Sequence, residues 1–186
     1  PGGFQMLRSM EHLIGLPELR FESERWNIDN GNDALKFCSK VCHWCLDSLV
    51  PFAFESPWTS LLWETTQMQH LKRCRGARFA RTDFSEFGLL WRKATGFLCA
   101  FANVSLIERK CEGCHGLCSK SGKPHQHLAG IDLVSGTFWT QVAEPYPRGL
   151  CTALIKMSSQ ACQQLPQNEF ATLLEFAAPL RSAADK

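Results

Sequence analysis

Apolar and polar positions along this chain follow two rhythms, and the switches between them mark its elements. From Ala34 to about Leu49 the apolar residues Leu35, Cys38, Val41, Cys42, Cys45, Leu46 and Leu49 recur at the three-and-four spacing of one helical face. Residues Val50 to Trp63 then read VPFAFESPWTSLLW. A mostly apolar run over 50–55 predicts a buried strand that stops at one carboxylate, Glu55, and Ser56-Pro57 ends it. A helix is expected from about Ser60 to Leu71. Ala77 to Asp83 and Thr95 to Ala102 read as two strands around the loop SEFGLLWRK. A Gly- and Cys-rich segment follows at 111–124, then a short strand pair near 127–140. Helices over Arg148–Met157 and Asn168–Phe176 close the chain.

Residues 1–29 carry the Pro, Gly and scattered charge of loops, and Asp29-Asn30-Gly31-Asn32 is a turn and helix-start cluster. This order predicts an α/β layer architecture. Its parts are a loop-rich segment over 1–29, an α/β domain over 30–158 with a Cys/His-rich insertion at about 111–127, and a C-terminal helix and tail over 159–186.

Bulk properties narrow the field modestly. The chain has 186 residues, 45% hydrophobic and 20% charged, which suits one globular domain with a sizeable core. A net charge of +2 gives no general case for nucleic acid, yet Lys72, Arg73, Arg75, Arg78, Arg81, Arg92 and Lys93 cluster locally. That cluster is either a phosphate-facing surface or a solvated face. No apolar run is long enough to span a membrane as a helix. The opening PGGFQ has neither an initiator Met nor a signal peptide, which suggests a piece of a longer, intracellular protein with reduced thiols. A strand that delivers an acid at its C-terminal end into a Pro-bounded loop has the usual placement of a ligand-facing group in α/β proteins. A capping acid at a strand–helix junction is the other reading of Glu55.

Six of the ten cysteines fall in two constellations that carry chemistry. Cys38, Cys42 and Cys45 have the C-x3-C-x2-C spacing that binds the iron–sulfur cluster of radical enzymes using S-adenosylmethionine. That chemistry needs a loop, whereas these thiols fall on the apolar stripe of the expected helix, where free Cys packs as a small hydrophobe. The second constellation, CEGCHGLCSKSGKPHQH, lies in a Gly-rich stretch unable to build a core of its own. Cys111, Cys114, Cys118, His125 and His127, with His115 nearby, offer more than the four soft ligands that tetrahedral zinc requires. Structural zinc is expected from four of them, the quartet being left open. Catalytic zinc is disfavoured because no acid is placed to work on a bound water.

Three segments resemble motifs of cytosine-5 DNA methyltransferases. VPFAFESPWTSLLW is similar to the strand and loop carrying the Glu-Asn-Val motif, with Glu55 at its Glu. DFSEFGLLWRKATGFLCAF resembles the arginine motif and its strand, with Gly88 at the Gly and Lys93 and Thr95 at the two arginines. QVAEPYPRGLCTALI resembles the closing motif through Gln141, Val142 and Pro147, with Glu144 where the family has Asn. A nearer likeness is to divergent methyltransferase-like proteins of protists, some tied to mobile elements. It rests on Glu55-Ser56-Pro57, Ser60, Leu62-Trp63, Trp91-Arg92-Lys93, Thr95, Tyr146-Pro147 and Leu150-Cys151.

The resemblance implies the C-terminal half of a Rossmann-like methyltransferase sheet, with helices on its faces and the Cys/His-rich loop as an insertion. It implies that Glu55 protonates a flipped cytosine at its ring nitrogen, while Arg92 and Lys93 hold the base and its phosphate. S-adenosylmethionine is implied as the cofactor of a complete parent, with DNA as partner and a nuclear location. This chain has neither the Gly-rich cofactor turn nor the Pro-Cys nucleophile loop. A truncated or degenerate domain, inactive without a missing N-terminal half, is therefore expected. A zinc-stabilised nucleic-acid-binding module is the alternative, and a radical enzyme using Cys38, Cys42 and Cys45 a second.

Overall fold

A computed structural model of the chain describes residues 7–164. The first element, α1, spans Glu22–Asp47 and so begins well before the expected start. Its entry is fixed by Glu24, whose carboxylate accepts the backbone N–H groups of Arg20 and Phe21, so donors that a helix start leaves open are satisfied. The cluster read as a turn, Asp29 to Asn32, lies inside this helix. Asn32 is buried there, donating to the Ile14 carbonyl at 2.9 Å and accepting from Arg8 at 3.0 Å. Contacts with the preceding segment thus overrule the local turn preference.

Strand β1 (Phe52–Pro57) leads through a 3-10 turn at Leu61–Glu64 into α2 (Thr66–Arg73). The expected single helix over 60–71 is divided at Thr65, whose extended backbone and side-chain bond to the Leu62 carbonyl break the run. Strands β2 (Ala77–Asp83) and β3 (Ala94–Ala100) follow, separated by a 3-10 turn at Phe84–Phe87. A short helix, α3 (Trp139–Val142), precedes α4 (Arg148–Gln163). The strand pair expected near 127–140 is reduced to one antiparallel bridge, Ile131 to Phe138. The helix expected over 168–176 lies outside the described residues.

The three strands form a sheet in the order β1-β3-β2, with β3 antiparallel to both neighbours. The mixed α/β expectation holds, with these three strands antiparallel to their neighbours where a Rossmann-like sheet is mainly parallel. β1 and β2 nevertheless run parallel to each other through the α2 connection, with β3 inserted between them as in a split β-α-β unit.

Helices cover both faces. Leu98 and Ala100 of β3 pack with Leu35, Leu46, Met68 and Leu71 of α1 and α2 on one face. Phe97 and Cys99 pack with Phe84, Ile107, Leu150 and Met157 on the other. A central strand buried on both faces reads as the continuous apolar run that TGFLCA is. A Cβ at Gly96 would be crowded, 3.0 Å from the buried Trp63 ring and 3.1 Å from Phe79, so those rings would have to give by a few tenths of an ångström.

Candidate functional site

Antiparallel pairing sets Glu55 opposite Phe97, so its side chain projects to the face that Phe84 and α4 cover. Trp58 donates to the Ala94 carbonyl at 3.0 Å, holding the Pro-bounded loop to the start of β3. From that start Lys93 extends its ammonium to the Ala143 carbonyl at 2.7 Å and over the Phe84 ring at 4.9 Å. Lys93 adopts a φ of +29°, a strained value for a residue with a Cβ. Burial lowers its pKa, against the upward pull of the Glu55 and Glu144 charges. Tyr146, in the turn before α4, donates its phenol to Glu55, and its ring meets Phe84 at 5.6 Å between centroids. Its pKa is pushed up by burial first, then by the Glu55 charge and that hydrogen bond. The segments around 55, 93 and 146 therefore converge on one carboxylate. A carboxyl group flanked by an ammonium and a phenol can exchange hydrogen bonds with a bound polar group.

The second centre is the Cys/His loop. Leu117 to Pro124 folds back as a tight hairpin, with Cys118 donating its N–H to the Lys123 carbonyl and His125 its N–H to the Gly116 carbonyl. This brings His125 against Cys111, Sγ to Nε2 at 3.5 Å. One ligand atom from each of Cys111, Cys118 and His125 lies within 4.8 Å of the others. Of the five residues expected as ligands the structure gathers these three. Cys114 and His127 are exposed and stand outside the group.

Both sulfurs sit where anionic thiolate is favoured. Burial alone would raise Cys111, but the Ser119 hydroxyl and N–H, the Gly113 N–H and Ser85 bring it below its ordinary value. Burial likewise opposes Cys118, yet the Ser121 N–H and hydroxyl, the Lys120 N–H and Ser85 bring it down to about 7. The Ser85 hydroxyl is buried without a complete hydrogen bond of its own. Two buried sulfurs and an imidazole at the edge length of a tetrahedral zinc site offer three of the four ligands such an ion takes.

Asp83, which sequence reasoning passed over, docks this loop on the sheet. It is fully buried, accepts from Arg81 at 2.9 Å and 3.2 Å and from Arg92 at 2.9 Å, and takes the Cys111 N–H at 2.9 Å. Arg92 also donates to the Cys111 carbonyl at 3.2 Å. Arg92 and Lys93, expected as nucleic-acid contacts, are thus engaged inside the protein. Lys72 is engaged too, lying 4.2 Å over the Phe79 ring, whereas Arg73, Arg75 and Arg78 are exposed. Only the alternation of β2 hinted at Asp83, since a strand-end acid flanked by two arginines reads equally well as surface.

Cys38, Cys42 and Cys45 lie on α1, with Cys42 and Cys45 buried in its core-facing stripe. Burial first, then the neighbouring thiols, pushes Cys42 up to about 11, the setting of a neutral thiol. Cys42→Ala is expected to cost about 1 kcal/mol through lost packing and to leave metal content unchanged, as denaturation midpoints and elemental analysis would report. No helix among the described residues is long and apolar enough to cross a membrane. No protein-family model, no curated protein and no solved structure matches this chain.

Proposed function

We propose that this chain forms the base-facing half of a cytosine-5 DNA methyltransferase-like domain, with its Cys/His loop held by a structural zinc ion. The observation that carries the reading is the convergence of three separate segments on Glu55, through the β1–β3 pairing, Lys93 and Tyr146. Those are the segments whose motifs resemble that family. The β1-α2-β2 connection with β3 inserted is compatible with one end of a larger α/β sheet, β1 being one of its two edge strands among the described residues.

In this reading the Glu55 carboxyl hydrogen-bonds and gives its proton to the ring nitrogen of an extruded cytosine, which makes the ring electrophilic. Tyr146 orients the carboxylate. Arg73, Arg75 and Arg78 are the exposed cations that meet phosphate. S-adenosylmethionine would supply the methyl group in a complete domain. The described residues contain no Gly-rich turn between a strand and a helix to hold it, so no cofactor step is assigned to this chain. Zinc, through Cys111, Cys118 and His125, would supply folding energy to the loop, not chemistry.

The test is binding of a duplex with one cytosine opposite an abasic site, compared with the same duplex fully paired. The extruded cytosine is expected to bind more tightly, because its unstacking cost is already removed. Glu55→Gln should erase the preference, worth about 1–3 kcal/mol for a charged hydrogen bond, while leaving the melting temperature nearly unchanged. Equal binding of both duplexes by the wild type would overturn the base-facing role.

A further inference from the structure

Away from the loop, a second convergence of soft donors joins α1 to α2. His43 projects from α1, His70 from the last turn of α2, and Cys74 caps that helix. One ligand atom of each lies within 4.8 Å of the other two, and the two imidazole rings stand 5.2 Å apart between centroids at 37°. We propose that His43, His70 and Cys74 bind a divalent first-row transition ion of the zinc class, at a site separate from the Cys/His loop and independent of the methyltransferase-like reading.

The donor set suits that class. Two imidazoles and a thiolate are the borderline-soft ligands that zinc and its neighbours select over calcium or magnesium. With metal–nitrogen and metal–sulfur bonds of about 2.0–2.3 Å, the edges of a tetrahedral site are about 3.3–3.7 Å. From separations of at most 4.8 Å, reaching those edges takes shifts of up to about 1.5 Å, within reach of side-chain torsions.

The scaffold beneath is fixed. α1 and α2 share one core through Leu35, Cys42, Leu46, Met68 and Leu71. His70 and Cys74 lie one helical turn apart on one face. The Cys74 N–H is held by the Leu71 carbonyl at 3.1 Å, and its thiol reaches the His70 carbonyl at 3.5 Å. Just beyond, Gly76 has a φ of +88°, and a Cβ there would stand 2.3 Å from a Phe101 ring carbon. The chain must therefore turn into β2 directly after Cys74.

The site opens on a cleft of about 860 Å³ lined by His43, Asp47, Cys74, Arg75 and Arg78 among others. A fourth position is accessible from that cleft. Asp47, one turn after His43, brings negative charge to the same wall and opposes the two arginines. His70 is exposed, and His43 and Cys74 are half-buried, so the ion exchanges with solvent more readily than one in the buried thiolates of the loop.

Equilibrium dialysis of the full chain against Zn²⁺, followed by elemental analysis, tests the site as a difference. The His70→Ala/Cys74→Ser double variant is expected to bind one equivalent fewer than the wild type, whatever the loop holds. His43→Gln alone should weaken the site by more than the roughly tenfold cost of losing an outer-shell contact. In Co²⁺-loaded Cys111→Ser/Cys118→Ser protein, a remaining thiolate-to-cobalt charge-transfer band should vanish on adding Cys74→Ser. Equal zinc in the wild type and a double variant of unchanged melting temperature would reduce the cluster to a stacked imidazole pair and overturn the proposal. Should the double variant not fold, undiminished zinc affinity in His43→Gln would overturn it equally.

Discussion

Cys111→Ser together with Cys118→Ser is expected to abolish metal binding at the hairpin loop and to release residues 111–125 from the sheet, while α1, α2 and the three strands stay folded. The loop carries few apolar side chains, and its two buried cysteines are the ones whose sulfurs face His125. Structural zinc contributes about 10–16 kcal/mol of apparent binding free energy in peptides that fold around it. Removing two of the three gathered ligands therefore removes the main force ordering this segment. Hydrogen exchange should report it as lost protection confined to the loop, with one equivalent less metal by elemental analysis, and a strong chelator should reproduce both effects.

Proton competition adds a signature. Cys118 is held at about 7 against an ordinary value of 9.0. A group whose folded pKa is depressed contributes stability that is full above its unfolded value and is lost as pH falls through the folded one. Metal affinity at the loop should accordingly fall as pH drops below about 7, and loop protection in metal-free protein should rise between about 7 and 9. Unchanged metal content and protection in the double serine variant would refute the assignment of these ligands.

Asp83→Ala is expected to destabilise the whole domain by about 3 kcal/mol, at the lower end of the range for breaking a buried ion pair. Asp83 is fully buried, and its removal leaves the Arg81 and Arg92 guanidinium groups and the Cys111 N–H without their acceptor. The lower end applies because the two arginine side chains remain 21% and 41% exposed, so water recovers part of the loss. Because the same carboxylate holds the Cys111 backbone, the variant should also weaken metal binding at the loop. Urea denaturation and a metal titration measure the two effects, and a stability change below about 0.5 kcal/mol, the size of an ordinary surface substitution, would contradict the assigned role.

The pH dependence has a definite sign here too. Burial raises the Asp83 carboxyl, but the hydrogen bonds from Arg81, Arg92 and the Cys111 N–H outweigh it and hold the group below its ordinary value. Its contribution is present above the unfolded pKa of about 3.9 and is lost as pH falls through the lower folded value. The Asp83→Ala penalty should therefore shrink in strongly acidic solution.

Particular elements explain what could be read in advance. The stripe from Leu35 to Leu46 marked the buried face of α1, because helical periodicity survives in any well-packed helix. TGFLCA lay within the run read as a strand over 95–102, and the Cys/His-rich stretch marked a loop whose side chains could hold a metal ion. The start of α1 was not legible, since the burial of Asn32 against Ile14 and Arg8 depends on residues that approach only in the folded chain. Nor was the selection of Cys111, Cys118 and His125 over Cys114 and His127. A turn of the hairpin decides which side chains point inward, and spacing alone leaves that open.

Composition and periodicity by themselves determined that this chain is a mixed α/β protein with soft ligands in a Gly-rich loop, whereas the expected strand end at Glu55 is corrected by pairing that continues to Pro57. Those features depend on neighbours within a few residues, which is the range over which backbone preference and side-chain alternation act. Only the tertiary structure decided that the strands pair antiparallel in the order β1-β3-β2, that Glu55 meets Lys93 and Tyr146, and that Asp83 ties the loop to the sheet. It alone brought His43 of one helix to His70 and Cys74 of another. Such contacts form where distant segments are driven together by burying a common core, and no local pattern carries the address of a partner dozens of residues away.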